Sequence, residues 1–188
     1  MPEPRDVAVF VGSLRRESWT RRIAVALGRL APPQLKLAIV EIGDLPLYNQ
    51  DLETEHPPEP WTRLRDRIRA ADAVLFATPE YNRSVPAVLK NAIDVGSRPA
   101  GKAAWNGKPG AVVSVSPGAL GAFGANHHLR QSLVFLDVPT LQQPEVYLGG
   151  VANLVDAEGN ITNDSTRAFL TKFMNDFAHW IEVQRCQP

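Results

Sequence analysis

Four residues near the start of the chain have the types and spacing to hold an anion. Ser13 and Ser18 bring hydroxyls and Arg15 a guanidinium within one short turn, Gly12-Ser-Leu-Arg-Arg-Glu-Ser18, and Thr20 adds a hydroxyl just after it. The turn follows an apolar run, Val7 to Val11, that reads as a buried strand. It precedes a helix whose apolar face is Ile23, Ala24, Ala26 and Leu27. A strand, a hydroxyl-rich turn and a helix start make an anion site, because the first helical N–H groups are unpaired and the helix dipole is positive there. Arg15, Arg16, Arg21 and Arg22 occupy a stretch where a helix start favours acids. That is unfavourable for an empty helix and favourable with a phosphate bound, although it also reads as a solvated basic helix start. The turn has neither the spacing and lysine of a P-loop nor the three-glycine dinucleotide fingerprint. Its donors suit a terminal monophosphate, and no cysteine lies nearby to attack one.

Two further loops could complete a pocket. In the first, Pro79 and Pro86 stiffen a segment holding Glu80, Tyr81 and Asn82, a polar rim beside an aromatic ring. Such a loop can offer backbone groups to the edge of a flat heterocycle and an apolar surface to its face. It can also be a rigid surface turn with Tyr81 packed on the domain. Asn91 and Asp94, in the helix that follows, are suited to bracing this loop. The second is Ser116-Pro-Gly-Ala-Leu-Gly121, where Ser116, Gly118 and Gly121 let the backbone approach a ligand closely. His127 and His128 are adjacent in an expected helix and face different directions. With His56 and His179 they are the only histidines, and no metal-ligand spacing exists among them. No catalytic side-chain set stands out. A monophosphate turn and a rigid loop for a planar ring point to chemistry carried by a bound cofactor.

The elements that must position these loops alternate along the chain. Leu35 to Ile42 reads as a second strand, and Gly43 to Pro60 as a long, wet, irregular loop of a kind that tends to be functional or mobile. A helix over Trp61 to Ala71, a strand over Ala73 to Ala77, a helix over Ala87 to Val95 and a strand over Ala111 to Val115 follow. Next come a helix from about Ala122 to Leu136 and a fifth strand over Val138 to Leu141. Phe169, Leu170, Phe173, Met174, Phe177, Trp180 and Ile181 form a stripe at helical spacing, which is core packing. The pattern predicts one three-layer α/β domain, residues 1–188, around a parallel sheet, with ligands outside the carboxyl ends of the strands.

The chain has 188 residues, 44% hydrophobic and 21% charged, enough for one domain with a substantial core. Twenty basic and twenty acidic residues give a formal net charge of +0, which argues against nucleic acid as a partner. The single cysteine, Cys186, excludes an internal disulfide framework. No run approaches the length of a membrane span, and the start lacks a leader, so a cytoplasmic location is expected.

Gly12 to Ser18, Pro79-Glu-Tyr-Asn82 with Ser84 to Asp94, and Ser116-Pro-Gly118 followed by His128-Leu-Arg-Gln131 together resemble the NADPH-dependent FMN reductase family, the flavodoxin-like group that includes bacterial quinone and chromate reductases. The resemblance runs in consistent order from about Val7 to Leu148. It implies a flavodoxin-like sheet of order 2-1-3-4-5, bound FMN, and a homodimer or homotetramer. It assigns the FMN phosphate to Ser13, Arg15, Ser18 and Thr20. It lays Pro79, Glu80, Tyr81 and Asn82 along the isoalloxazine, and closes the other side with Ser116 and Gly118. Arg130 and the preceding helix resemble the family's subunit-contact segment. The implied activity takes hydride from NADH or NADPH onto the flavin and passes electrons to a small-molecule acceptor, a quinone above all, in a ping-pong cycle. Azo, nitro or chromate reduction would be side activities. No catalytic side chain is assigned, and Tyr81 is the candidate for shaping the nicotinamide site.

The sequence departs from the family's usual pattern at Thr20, Ala87, Val95 and His127, positions often held by Asn, Gly, Trp and Tyr. These differences bear on the substrate surface and the assembly. The rival readings are a flavodoxin-type electron carrier, which is usually strongly acidic where this chain is neutral, and a flavin-binding scaffold.

Overall fold

Alternation within strand β1 (Arg5–Val11) divides its apolar run between two cores. Val7, Val9 and Val11 enter one, and Ala8 and Phe10 the other. Strand β3 (Ala73–Thr78) repeats the division, with Leu75 on one side and Val74 and Phe76 on the other. Continuous apolar runs of this kind are what a parallel sheet covered on both faces requires. The computed structural model describes residues 3–185, and Cys186 lies outside the described residues. Its sheet is parallel throughout and takes the order β2 (Leu35–Val40), β1, β3, β4 (Gly110–Val115), β5 (Val146–Leu148).

Helices α1 (Trp19–Leu30) and α5 (Asp164–Arg185) cover one face. The α5 stripe is core as expected: Leu170, Phe173, Met174, Phe177 and Ile181 are buried, and Phe169 and Trp180 pack at its margin. Helices α2 (Glu59–Ala70), α3 (Ala87–Gly96) and α4 (Phe123–Phe135) cover the other face. There Trp105 donates its indole N–H to the Ile93 carbonyl at 2.9 Å, and its ring meets Phe10 at 5.1 Å and Phe76 at 5.5 Å. Gly96 makes that placement possible, because a Cβ there would stand 2.5 Å from the indole nitrogen.

The fifth strand is not where the sequence placed it. Val138 to Leu141 touches β4 only at its start: Thr140 forms a single bridge with Gly110, with hydrogen bonds from Gly110 to Pro139 and from Leu141 to Gly110. The paired edge strand is Val146–Leu148, in register with Val113 to Val115. Pro139 and Pro144 have no N–H to give to a ladder, so the edge is broken between them and resumes after the second proline.

The 43–60 segment also differs from expectation, being anchored rather than loose. Ile42 and Leu45 are buried, and Tyr48 packs on Trp61 at 5.2 Å. Asn91 accepts the Tyr48 N–H at 2.8 Å and donates to the carbonyls of Leu45 and Pro46, so it braces this segment and not the 79–86 loop. Trp61 donates to the Pro46 carbonyl at 3.0 Å. Arg65, buried in α2, grips Glu53 with two hydrogen bonds of 2.8 and 2.7 Å and donates to the Val95 carbonyl. Asp94, the other expected brace, pairs with Lys90 one turn back.

Candidate functional site

The chain order places the switch of the sheet between β1 and β3, from which successive strands run outward in opposite directions. A crevice outside the carboxyl ends of the strands is the expected result. A cleft of about 240 Å³ lies there, walled by the loops after β1, β3 and β4.

The loop after β1 supplies Ser13, Arg15, Ser18, Trp19 and Thr20. Ser18 is the N-cap of α1: its backbone is extended (φ −78, ψ 113) and its Oγ accepts the Arg21 N–H at 3.1 Å. That acceptor role leaves the hydroxyl proton available to a ligand. Trp19 and Thr20 hold the first helical positions, whose N–H groups have no intrahelical acceptor. Ser13 and Thr20 are buried, yet their hydroxyls meet no protein partner among the described residues. The four arginines divide. Arg21 pairs with Glu41, while Arg22 pairs with Glu17 and lies over the Trp19 ring at 4.5 Å. Arg15 and Arg16 are exposed and make no ion pair among the described residues. The solvated-face reading therefore holds for Arg21 and Arg22, and Arg15 is the cation turned to the cleft.

The loop after β3 supplies Pro79, Glu80 and Tyr81. It closes as a tight turn in which Tyr81 and Ser84 exchange backbone hydrogen bonds of 3.1 and 3.0 Å. Asn82 and Arg83 at the tip both have positive φ, 51 and 63, the geometry of a type I′ turn. Asn82 is thus a turn-former at the tip and does not line the cleft. The Glu80 carboxylate also turns away, to the Ala125 N–H at 3.0 Å in the first turn of α4. Tyr81 is half exposed at the rim, unpacked on its outer side.

The loop after β4 supplies Ser116, with Val115 and Pro117. Ser116 Oγ accepts the Gly118 N–H at 3.0 Å, and the Gly118 carbonyl accepts from Gly150 at 3.3 Å. Gly118 therefore shapes the loop without lining the cleft. Gly121 and Gly149 let this loop lie against the end of β5: a Cβ on Gly149 would be 2.4 Å from the Ala119 carbonyl oxygen.

Of the ten residues the sequence pointed to, eight line one cleft, and Asn82 and Gly118 shape its loops. Trp19, Val115 and Pro117 were missed. Trp19 directly follows the cap, and Pro117 sits inside the Ser-Pro-Gly motif, so their places in the chain were the available signals. Arg130 turns inward, donating to Asn126 Oδ1 at 3.0 Å and to the Leu141 carbonyl at 3.1 Å. His127 and His128 diverge as helical geometry requires. His127 meets the Tyr147 hydroxyl at 3.1 Å and His128 meets Ser84 Oγ at 3.0 Å. Burial, and then a hydrogen bond with Glu145, push the Tyr147 phenol up to about 12.

A monophosphate fits the first loop on its donors alone: two hydroxyls of buried residues that open to the cleft, a cap hydroxyl, two helical N–H groups without an intrahelical acceptor and a guanidinium unpaired among the described residues. Pro79, Tyr81 and Val115 beyond it offer apolar surface to a flat ring. Fold and cleft together define a flavodoxin-like protein with a mononucleotide site at its sheet switch.

The chain belongs to the NADPH-dependent FMN reductase family, whose sequence model matches residues 5–153. It is 64% identical over 185 residues to a quinone reductase of Pseudomonas putida, covering 98% of this chain and 99% of that protein. It is 45% identical over 179 residues to a 2-hydroxy-1,4-benzoquinone reductase of Burkholderia, covering 95% and 97%. Among solved structures it is similar to FerB, a flavoenzyme NAD(P)H:(acceptor) oxidoreductase from Paracoccus denitrificans. That match has a TM-score of 0.91 and 43% identity, and covers 96% of this chain and 98% of that one. The chain is accordingly an FMN-dependent oxidoreductase with a nicotinamide co-substrate, and not a flavodoxin-type carrier. Among the described residues no helix is long and apolar enough to cross a membrane.

Proposed function

We propose that this protein is a quinone reductase whose FMN phosphate is held by Ser13, Arg15, Ser18 and Thr20. The observation that carries the proposal is the set of unspent donors on the first loop, facing a proline-stiffened loop across one cleft. FMN, when bound, supplies hydride exchange with the nicotinamide and with the acceptor. The chain's own part is to bind, orient and exclude. Arg15 and the two free N–H groups of α1 neutralise the phosphate charge, which is favourable at a helix start. Pro79, Glu80, Tyr81 and Asn82 form the loop along the ring, Glu80 and Asn82 by setting its shape. Ser116 borders the far side, on a loop that Gly118 shapes. The half-exposed Tyr81 borders the place where nicotinamide and acceptor take turns, which suits small planar acceptors such as benzoquinones.

The same proposal treats residues 1–188 as one domain in the cytoplasm, assembled as a homodimer or homotetramer. The outer face of α4 supports assembly: Val134 is 74% and Phe135 86% exposed, an apolar pair with no cover in the single chain.

Steady-state kinetics with NADPH or NADH and a benzoquinone series test the reading. Parallel double-reciprocal lines are expected, as for two substrates that use one cleft in turn. Absence of quinone-dependent nicotinamide oxidation by the FMN-loaded protein would leave a flavin-binding scaffold instead.

A further inference from the structure

Helix α4 starts without a cap of its own. Its N-cap position is Ala122, in the left-handed region (φ 61, ψ 39), and its first turn holds no acidic side chain. Ser, Thr, Asp or Asn normally serve there by accepting an N–H in the first turn. Here the acceptor comes from 45 residues earlier in the chain, as Glu80 Oε2 takes the Ala125 N–H at 3.0 Å. The Glu80 side chain is only 14% exposed. Gly124 is shaped to receive it, since a Cβ at that position would stand 2.9 Å from both Glu80 Oε2 and the Arg83 carbonyl oxygen. A second tie, His128 to Ser84 at 3.0 Å, joins the same loop to the next turn of the helix. Between the two ties the loop holds Asn82 and Arg83 with positive φ, a strained pair that persists only where its surroundings fix it.

We infer that Glu80 is a positioning residue: by capping α4 its carboxylate holds Pro79 and Tyr81 in place along the flavin ring. The inference rests on the proposed flavin site. Glu80 borders the cleft, and its carboxylate is shared between the helix behind that wall, through Oε2, and Arg83 of its own turn, which donates to Oε1 at 3.4 Å. The loop therefore moves with α4, and a change at α4 is felt at the nicotinamide position. The phosphate end, on a different loop, is unaffected.

The variants E80A and E80Q, loaded with FMN, test this beside the unaltered protein. Gln keeps a side-chain oxygen for the Ala125 N–H, so E80Q should lie between the other two. E80A should keep FMN, because the phosphate donors are untouched. It should show faster amide exchange in residues 79–86 and in the first turn of α4, and a shifted visible flavin band. Its KM for NADPH should rise about tenfold, as for lost binding common to ground and transition states, with a smaller change in kcat. An unshifted flavin band and an unchanged KM in FMN-bound E80A would overturn the inference, even if its melting temperature fell. If E80A does not fold, the same two readouts on E80Q decide. Failure of the unaltered protein to take up FMN would instead overturn the flavin site itself.

Discussion

The turn after β1 and the 43–60 segment are both irregular and polar in sequence, and they have opposite fates. In the 43–60 segment polar groups are spent internally. Asn91 takes the Tyr48 N–H and gives to two carbonyls, Trp61 gives to Pro46, and Arg65 gives to both oxygens of Glu53. In the turn after β1 they are left over: the Ser13 and Thr20 hydroxyls, the Arg15 guanidinium and the first N–H groups of α1. Among the described residues no side-chain polar atom is both buried and unsatisfied, so these hydroxyls open to the cleft, where a ligand can take them up. Length and polarity did not separate the two regions. The balance of spent and unspent hydrogen bonds does.

Breaking each region in turn should give opposite signatures. The largest effect is expected from Arg65→Ala, which leaves the Glu53 carboxylate, 14% exposed, without its buried partner and removes one of the donors to the Val95 carbonyl. Unpairing a buried charge costs about 3–5 kcal/mol. Denaturant unfolding should show that loss, with FMN affinity of the folded protein unchanged. Arg15→Ala should do the reverse, weakening FMN by about 1.5–3 kcal/mol, the value of a hydrogen bond to a charged group. Unfolding of the FMN-free protein should stay within about 0.5 kcal/mol, as for exposed surface changes. Fluorescence titration with FMN reads the first effect and denaturant unfolding the second.

Tyr81→Ala sharpens the comparison within the cleft, because Tyr81 lies on the ring-side loop and not on the phosphate turn. It should lower kcat/KM for NADPH about tenfold, near 1.4 kcal/mol, with little loss of FMN. Equal loss of both would place Tyr81 in flavin retention instead. The smallest effect belongs to Ser18→Ala, which should register in both assays. Loss of the cap costs about 1 kcal/mol of stability, and loss of the hydroxyl weakens FMN a few-fold. A change in only one of the two would show that its cap and ligand roles are separable.

Much of this was legible in the sequence, for physical reasons that can be named. Apolar runs such as Val7–Val11 and Ala73–Ala77 read as covered strands, and the α5 stripe at helical spacing reads as core, and both are so in the fold. The hydroxyl-rich turn ending at Ser18, before an apolar helix face, marks the helix start. The fifth strand was misplaced because Val138–Leu141 has the composition of a strand, while the prolines that break the edge act through donors they lack. The direction of Glu80 was hidden for another reason: its partner, Ala125 N–H, is a backbone group of a helix whose missing cap is visible only in three dimensions. Asn91 bracing the 43–60 segment is likewise a contact between distant positions that no local pattern encodes.

The most direct test of the central claim is the visible absorption of the FMN-loaded protein under anaerobic conditions, followed through addition of NADPH and then a benzoquinone. The account predicts a bound-flavin spectrum that bleaches with the nicotinamide and returns with the quinone. A flavin that stays oxidised on NADPH addition, or a protein that takes up no FMN, would contradict it.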